Sequence, residues 1–168
     1  MIYLWLVIPA DPWVIMEYSY LKYMAHIINF KNPYFNLLVW VDNMTGLKDL
    51  IYTPSSARGE ALSKVESHTP RIEAPDSVKP GEVFKVKVSV GPHPNTVEHS
   101  IRWMELYFEE EGRVFNPILI GRYEFTPVYS EPVVEVYLKI QKPGKLIAVE
   151  YCNLHGLWEN YKEIKISG

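Results

Sequence analysis

The chain has a single cysteine, Cys152, among its 168 residues, so it cannot form an internal disulfide bond. One thiol fits a reducing compartment. No apolar run reaches the roughly 20 residues that a membrane-spanning helix needs. The apolar N-terminus lacks the basic segment of a signal peptide and soon meets Pro9 and Asp11. The formal charge of −3 lacks the basic footprint of a nucleic-acid-binding domain. We therefore expect a cytoplasmic protein that binds neither membranes nor nucleic acids.

The sequence changes character near Asn43 and Met44. The first 43 residues are rich in Trp, Tyr, Ile and Leu and carry few charges. Apolar residues at helical spacing predict an amphipathic helix over about 13–30, and residues 37–41 read as a short strand. We interpret residues 1–43 as an N-terminal extension of uncertain structure. An alternative stays open, in which Met44 is the true start and the preceding residues come from upstream translation.

The remainder of the chain has the pattern of a β domain. Residues 44–66 are interpreted as a linker that includes the turn-rich stretch 53–60, and residues 67–168 as the domain. Residues 83–90, V-F-K-V-K-V-S-V, alternate with period 2, which is typical of a half-buried strand. Further candidate strands are 101–108, 117–125, 133–140, 146–151 and 161–166. Turn signals stand at 79–81, 110–112 and 142–144. This spacing predicts an all-β fold, an antiparallel sandwich of about seven strands.

Four of the five histidines lie in this β region, each beside a loop. They are His68, His93, His99 and His155, and Cys152 stands three residues before the last of them. Taken singly, each is more simply explained as a surface or core residue, but loops at one end of a sandwich can converge. Zinc prefers four ligands, so five nitrogen and sulfur ligands are one too many for a structural zinc site. Imidazoles with one soft thiolate also suit iron or copper, and an open sixth position would serve small-molecule chemistry.

Three motifs together resemble the superoxide reductases, also called neelaredoxins, and the catalytic domain of desulfoferrodoxin. The motifs are E-S-H-T-P, H-P-N-T-V-E-H and C-N-L-H-G-L-W-E-N, and the resemblance runs from about residue 44 to 168. It implies an immunoglobulin-like β-sandwich with one non-haem iron. It also implies four equatorial imidazole ligands, an axial thiolate from Cys152, and Glu66 as the sixth ligand of the oxidised state. The equatorial ligands would be His68, His93, His99 and His155. The implied reaction reduces superoxide with one electron and two protons to hydrogen peroxide.

Two departures from the family pattern bear on function. The family usually has lysine directly before the first histidine ligand, whereas this chain has Ser67, so we predict that Lys64 supplies the positive charge instead. The segment 121–132 is shorter than in many single-iron members. The resemblance implies a homodimer or homotetramer, and this shorter segment departs from the members on which that expectation rests. One cysteine cannot build the Cys₄ iron site of two-iron desulfoferrodoxins. The resemblance therefore implies an external electron donor such as rubredoxin.

Two other functions are alternatives to this interpretation. A blue-copper electron carrier is also a β-sandwich with a late Cys and His, but it normally needs a Met after the final His, and no Met follows Met104. A non-catalytic metal-binding or immunoglobulin-like binding module is the second alternative. The paired cysteines of true immunoglobulin domains are impossible with one Cys.

Overall fold

The computed structural model describes residues 46–168, which belong to one compact unit. The helix predicted over 13–30 and the strand at 37–41 lie outside the described residues. Two 3₁₀ helices, Leu47–Asp49 and Gly59–Lys64, lead into a single α-helical turn, α1 (Val65–His68). Eight strands follow: β1 (Arg71–Glu73), β2 (Ser77–Val78), β3 (Val83–Ser89), β4 (Ile101–Glu110), β5 (Ile118–Glu124), β6 (Val133–Lys139), β7 (Gly144–Cys152) and β8 (Gly156–Ile166).

The strands form two packed sheets, as expected for a β-sandwich. One sheet has the order β1-β3-β6 and the other has the order β2-β8-β7-β4-β5. Nearly all neighbouring strands are antiparallel, which confirms the predicted all-β class. The exception is the two-residue pairing of β2 with β8, which is parallel.

The alternation in β3 shows why these residues form a sandwich. Phe84, Val86 and Val88 point into the core, while Lys85 and Lys87 point outwards and pair with glutamates on neighbouring strands. The side chains of one face are thus removed from water, and those of the other face stay solvated. The opposite sheet supplies the other half of the core, including Leu106, Phe108, Leu146 and Ile164.

The structure differs from the sequence expectations at three of its strands. Strands β1 and β2 were not predicted, because two or three residues are too few for an alternation to be visible. Strand β8 begins at Gly156, five residues before the predicted start, because it pairs with β7 directly after a tight turn. His68 ends a helical turn and thus lies beside a loop, as expected. Among residues 46–168, no helix is long and apolar enough to cross a membrane.

Antiparallel pairing brings three connections to one end of the sandwich. Strand β4 starts, β7 ends and β8 starts at this end, since Ile101 pairs with Cys152 and Cys152 pairs with Gly156. The β3–β4 loop (90–100) and the β7–β8 turn (153–155) therefore lie side by side. The segment before α1 is joined to the same end, because Tyr52 forms a bridge with Trp158 in β8.

Candidate metal centre

Five side chains from three parts of the chain converge at this end of the sandwich. His68 is the last residue of α1, and His93 and His99 lie in the β3–β4 loop. Cys152 is the last residue of β7, and His155 lies in the following turn. Gly156 has φ of +78°, a left-handed conformation that glycine adopts without steric cost, so β8 can begin directly after His155. The five donor atoms, one from each side chain, all lie within 4.8 Å of one another.

Three distances between ring nitrogens match the edges of a square with one imidazole at each corner. Nε2 of His68 lies 2.9 Å from Nδ1 of His155 and 3.1 Å from Nε2 of His93. Nε2 of His99 lies 3.1 Å from Nδ1 of His155. A square with edges of this length has corners about 2.1 Å from its centre, which is the usual distance between a metal ion and an imidazole nitrogen. The four nitrogens are therefore close enough together to bind one metal ion.

The ring orientations agree with this arrangement. Rings on adjacent corners are close to perpendicular, with interplanar angles of 84° for His68 and His93 and 85° for His68 and His155. His99 makes angles of 72° and 74° with the same two neighbours of His68. His68 and His99 are 6.1 Å apart between ring centroids and inclined by only 25°, as expected for opposite corners.

Hydrogen bonds on the far side of two rings fix which nitrogen is free to bind. Nδ1 of His68 donates to the carbonyl oxygen of Lys64 at 3.1 Å, and Nδ1 of His93 donates to that of Pro94 at 2.6 Å. With the proton on Nδ1, the Nε2 atom of each ring presents its lone pair to the centre of the square. Such partners orient metal-binding histidines and set their tautomer.

Burial prepares the imidazoles to bind a cation. Burial, together with the neighbouring imidazoles, lowers the pKa of His68 to about 4. Burial also lowers the pKa of His93, His99 and His155. All four rings are thus neutral ligands at neutral pH. Burial raises the pKa of the Cys152 thiol, whereas the backbone N–H groups of Leu154 and His155 oppose that shift. A metal ion would complete the deprotonation, because a coordinating thiol gives up its proton.

The thiol and the four rings do not have the same exposure. Cys152 and His68 are buried, whereas His93, His99 and His155 are half-buried. Sγ of Cys152 lies 3.7 Å from Nδ1 of His155, on the core side of the square. Trp158 packs against His68 with ring centroids 5.3 Å apart and is 1% exposed, so it closes the inner side. The three half-buried rings thus form the solvent-facing part of the cluster, and Cys152 and His68 form its buried part.

Glu66 and Lys64, the acidic and the basic residue predicted from the sequence to take part in the reaction, lie outside this cluster. Glu66 is exposed and is not among the five grouped donors. Lys64 lies close enough for its positive charge to lower the pKa of His99 and His155 further, after burial. Ser67 occupies the position where the family has lysine, and its hydroxyl lies 2.9 Å from Nδ1 of His68.

Sequence reasoning missed residues that support the centre without reaching it. The side chain of Asn153 forms hydrogen bonds with the backbone of the loop that carries His99. The side chain of Asn160 donates to the carbonyl oxygen of Pro70 at 2.9 Å, and Pro70 stands two residues after His68. Glu150 is fully buried on the inner face of β7, and burial raises its pKa to about 9. The signal for Asn153 was its place between two ligands in the C-N-L-H motif. Glu150 had no comparable signal, because the strand reads as apolar on both faces.

Comparison with known proteins places this geometry in a family. The desulfoferrodoxin family model matches residues 60–161. A superoxide reductase from Pyrococcus horikoshii is 50% identical over 109 residues, covering 61% of this chain and 90% of its own length. A neelaredoxin from Megalodesulfovibrio gigas is 42% identical over 118 residues, with coverage of 61% and 90%. The solved superoxide reductase (neelaredoxin) from Ignicoccus hospitalis is 60% identical, with a TM-score of 0.69, and covers 73% of this chain and 100% of its own.

Proposed function

This chain belongs to the desulfoferrodoxin family, and we propose from its centre that it is a superoxide reductase, an oxidoreductase that converts superoxide to hydrogen peroxide. The observation that carries the proposal is the convergence of four imidazole nitrogens and one thiol sulfur within 4.8 Å. A blue-copper site would use two of the four histidines and leave the other two without a role. The described structure uses all four in one square.

The residues of the chain fit one iron ion. Its ligands would be the imidazole nitrogens of His68, His93, His99 and His155 and the buried sulfur of Cys152. When bound there, ferrous iron supplies the single electron that superoxide needs, together with two protons, to become hydrogen peroxide. The Cys152 thiolate would donate electron density to the bound iron. Because His93, His99 and His155 are only half-buried, a small anion such as superoxide could reach the cluster from their side.

Glu66 remains our proposed sixth ligand of the oxidised state. It lies two residues before His68, on the single helical turn that carries this ligand. Its exposed carboxylate would have to turn towards the open position. A hard carboxylate oxygen favours ferric over ferrous iron, so it would leave on reduction and return after turnover.

Lys64 is proposed to attract superoxide in place of the family lysine. Its carbonyl oxygen accepts a hydrogen bond from Nδ1 of His68, which fixes its backbone beside the centre, and its charge acts on two of the imidazoles. An anion that approaches the open face therefore meets a positive field, which raises the rate of encounter.

The variant Lys64→Ala should slow superoxide capture by roughly two- to tenfold at low ionic strength, because a single steering charge is removed. The measurement is the second-order rate constant by pulse radiolysis, taken over a series of salt concentrations. The salt dependence should flatten in the variant, since screening acts on the charge that is gone. Lys79→Ala is the matched control, because it changes the net charge equally at the turn before β3, at the far end of the sandwich. Equal kinetics in the two variants would remove Lys64 from the mechanism.

We also propose an electron donor, an oligomeric state and a cellular location for the protein. The electron would come from a separate donor such as rubredoxin, because one cysteine cannot build a second, Cys₄ iron site. The protein would act as a homodimer or homotetramer. A cytoplasmic location would suit its single free thiol, which stays reduced there.

Absorption spectroscopy with metal analysis tests the proposed function. The pure oxidised protein should contain about one iron per chain and absorb red light through thiolate-to-iron charge transfer. The blue colour should bleach on reduction and return when superoxide is added. A protein that holds iron but does not consume superoxide would support a non-catalytic metal-binding role. A colourless protein that takes up no iron under anaerobic loading would contradict both readings.

A further inference from the structure

Asn153 joins the two ligand-bearing connections at the end of the sandwich. Its Oδ1 atom accepts from the backbone N–H of Ser100 at 2.9 Å, and its Nδ2 atom donates to the carbonyl oxygen of Glu98 at 2.8 Å. These are the two peptide groups on either side of His99. Its own N–H donates to the carbonyl oxygen of Ser100 at 3.3 Å. Asn153, the residue after Cys152, thus forms hydrogen bonds with the backbone on both sides of His99.

His99 depends on these hydrogen bonds more than His93, the other histidine of the β3–β4 loop, does. Nδ1 of His68 and Nδ1 of His93 each donate to a backbone carbonyl, which orients those rings directly. Within the described part of the chain, Nδ1 of His99 has no such partner. The direction of the His99 ring is therefore set through its backbone.

Other contacts of the His99 backbone stay within its own loop. Its N–H donates to Oγ1 of Thr96 at 3.1 Å, and its carbonyl oxygen accepts from the N–H of Thr96 at 2.9 Å. These bonds shape the loop but do not fix its distance from the β7–β8 turn. The bonds of Asn153 connect the loop to the turn, where Cys152 and His155 lie.

We propose that Asn153 is a positioning residue that holds Nε2 of His99 in the plane of the metal-binding square. The inference rests on the proposed function only in that the square binds a metal ion. Without the Asn153 side chain, the loop keeps its internal bonds and the bond from the N–H of Asn153 to the carbonyl oxygen of Ser100, but the peptide groups on either side of His99 lose both side-chain bonds to the turn. The 3.1 Å distance between Nε2 of His99 and Nδ1 of His155 would then lengthen, and the metal ion would lose one corner.

Asn116 provides a matched control at the opposite end of the sandwich. Its Oδ1 atom accepts from the N–H of Glu110 at 3.1 Å, and its Nδ2 atom donates to the carbonyl oxygen of the same residue at 2.8 Å. Its Nδ2 atom also donates to the carbonyl oxygen of Arg113 at 3.1 Å, so Asn116, like Asn153, bonds the backbone through both its side-chain oxygen and its side-chain nitrogen. Asn116→Ala should lower the stability of the domain about as much as Asn153→Ala, but it lies far from the five donor atoms.

The experiment compares the affinities of Asn153→Ala, Asn116→Ala and the unchanged protein for Fe²⁺ and, separately, Co²⁺. Both ions are titrated into metal-free protein under anaerobic conditions, and thermal unfolding of each metal-free protein is recorded. We expect Asn153→Ala to bind both ions about 10- to 100-fold more weakly, as is usual when a residue that orients a metal ligand is removed. Its Co²⁺ absorption spectrum should also change, because one nitrogen ligand is displaced. Asn116→Ala should stay within about twofold of the unchanged protein.

Asn153→Asp keeps the acceptor for the N–H of Ser100 and loses the donor to Glu98, so it should weaken binding less than the alanine variant. This second variant decides the question if Asn153→Ala does not fold. Metal affinities within twofold of the unchanged protein would overturn the proposal, and so would equal losses in the Asn153 and Asn116 variants. Failure of superoxide turnover in the unchanged protein would count against the proposed function alone, because metal affinity is measured independently of it.

Discussion

Cys152→Ser should abolish the red absorption band of the oxidised protein and lower the rate of superoxide reduction by at least about a hundredfold. The band requires a thiolate, and a serine hydroxyl keeps its proton at neutral pH. Loss of a direct ligand should exceed the 10- to 100-fold effects that follow when a supporting residue is changed. The measurements are the absorption spectrum, the iron content and the rate of superoxide consumption at equal protein concentration.

Ala148→Ser is the control for this substitution. Ala148 lies on the inner face of β7, four residues before Cys152, and both residues are fully buried. The variant therefore places a hydroxyl in the same apolar layer without touching the centre. It should unfold at a lower temperature but keep the colour and the activity. If Cys152→Ser kept the absorption band, the thiolate would not be a ligand and the five-donor centre would be wrong.

The strands of the domain could be predicted from the sequence where they are long and half-buried. The alternation of residues 83–90 and the turn signals around Gly81 and Gly112 follow from local chemistry, and the structure confirms them. The two-residue strand β2 could not be found, because its pairing with β8 depends on residues almost 90 positions apart. Local patterns carry no information about such partners.

The site was predictable as a set of residues but not as a geometry. Residue type and spacing, with the family resemblance, selected the four histidines and Cys152. Their approach to within 4.8 Å results from the pairing of Ile101 with Cys152 and of Cys152 with Gly156, which only the fold specifies. Residues that act through the backbone were therefore missed, and Asn153 is the clearest example.

Glu150 shows where local and global preferences disagree. Strand β7 has apolar residues on both faces, so its sequence does not reveal that Glu150 joins Leu146, Ala148 and Cys152 in the core. Neither carboxyl oxygen has a hydrogen-bond partner among the described residues. Such conflicts are expected at functional sites. Here the buried carboxyl group lies two residues before Cys152, on the same inner face of β7.

Gly144→Ala should destabilise the domain more than any other glycine substitution that we consider. Gly144 begins β7, where it pairs with Glu110 in β4 and Ile164 in β8. A Cβ atom there would overlap the carbonyl oxygen of Glu109 and lie 2.7 Å from Cζ of Phe108. Backbone cannot move aside as a flexible side chain can, so the central β4–β7 pairing would have to shift. We expect a loss of about 3 kcal/mol in the free energy of unfolding, measured by urea denaturation.

Gly112→Ala separates this close approach from the conformational freedom of glycine. Gly112 lies in the adjoining β4–β5 loop with φ of +74°, and a Cβ atom there would meet nothing within 4 Å. Its substitution should cost only the strain of a left-handed residue, about 1 kcal/mol. Gly144 has no positive φ, so its penalty must come from contact. Equal losses in the two variants would show that β7 can move away from β4 at little cost. The end of the sandwich opposite the metal centre would then be looser than its packing implies.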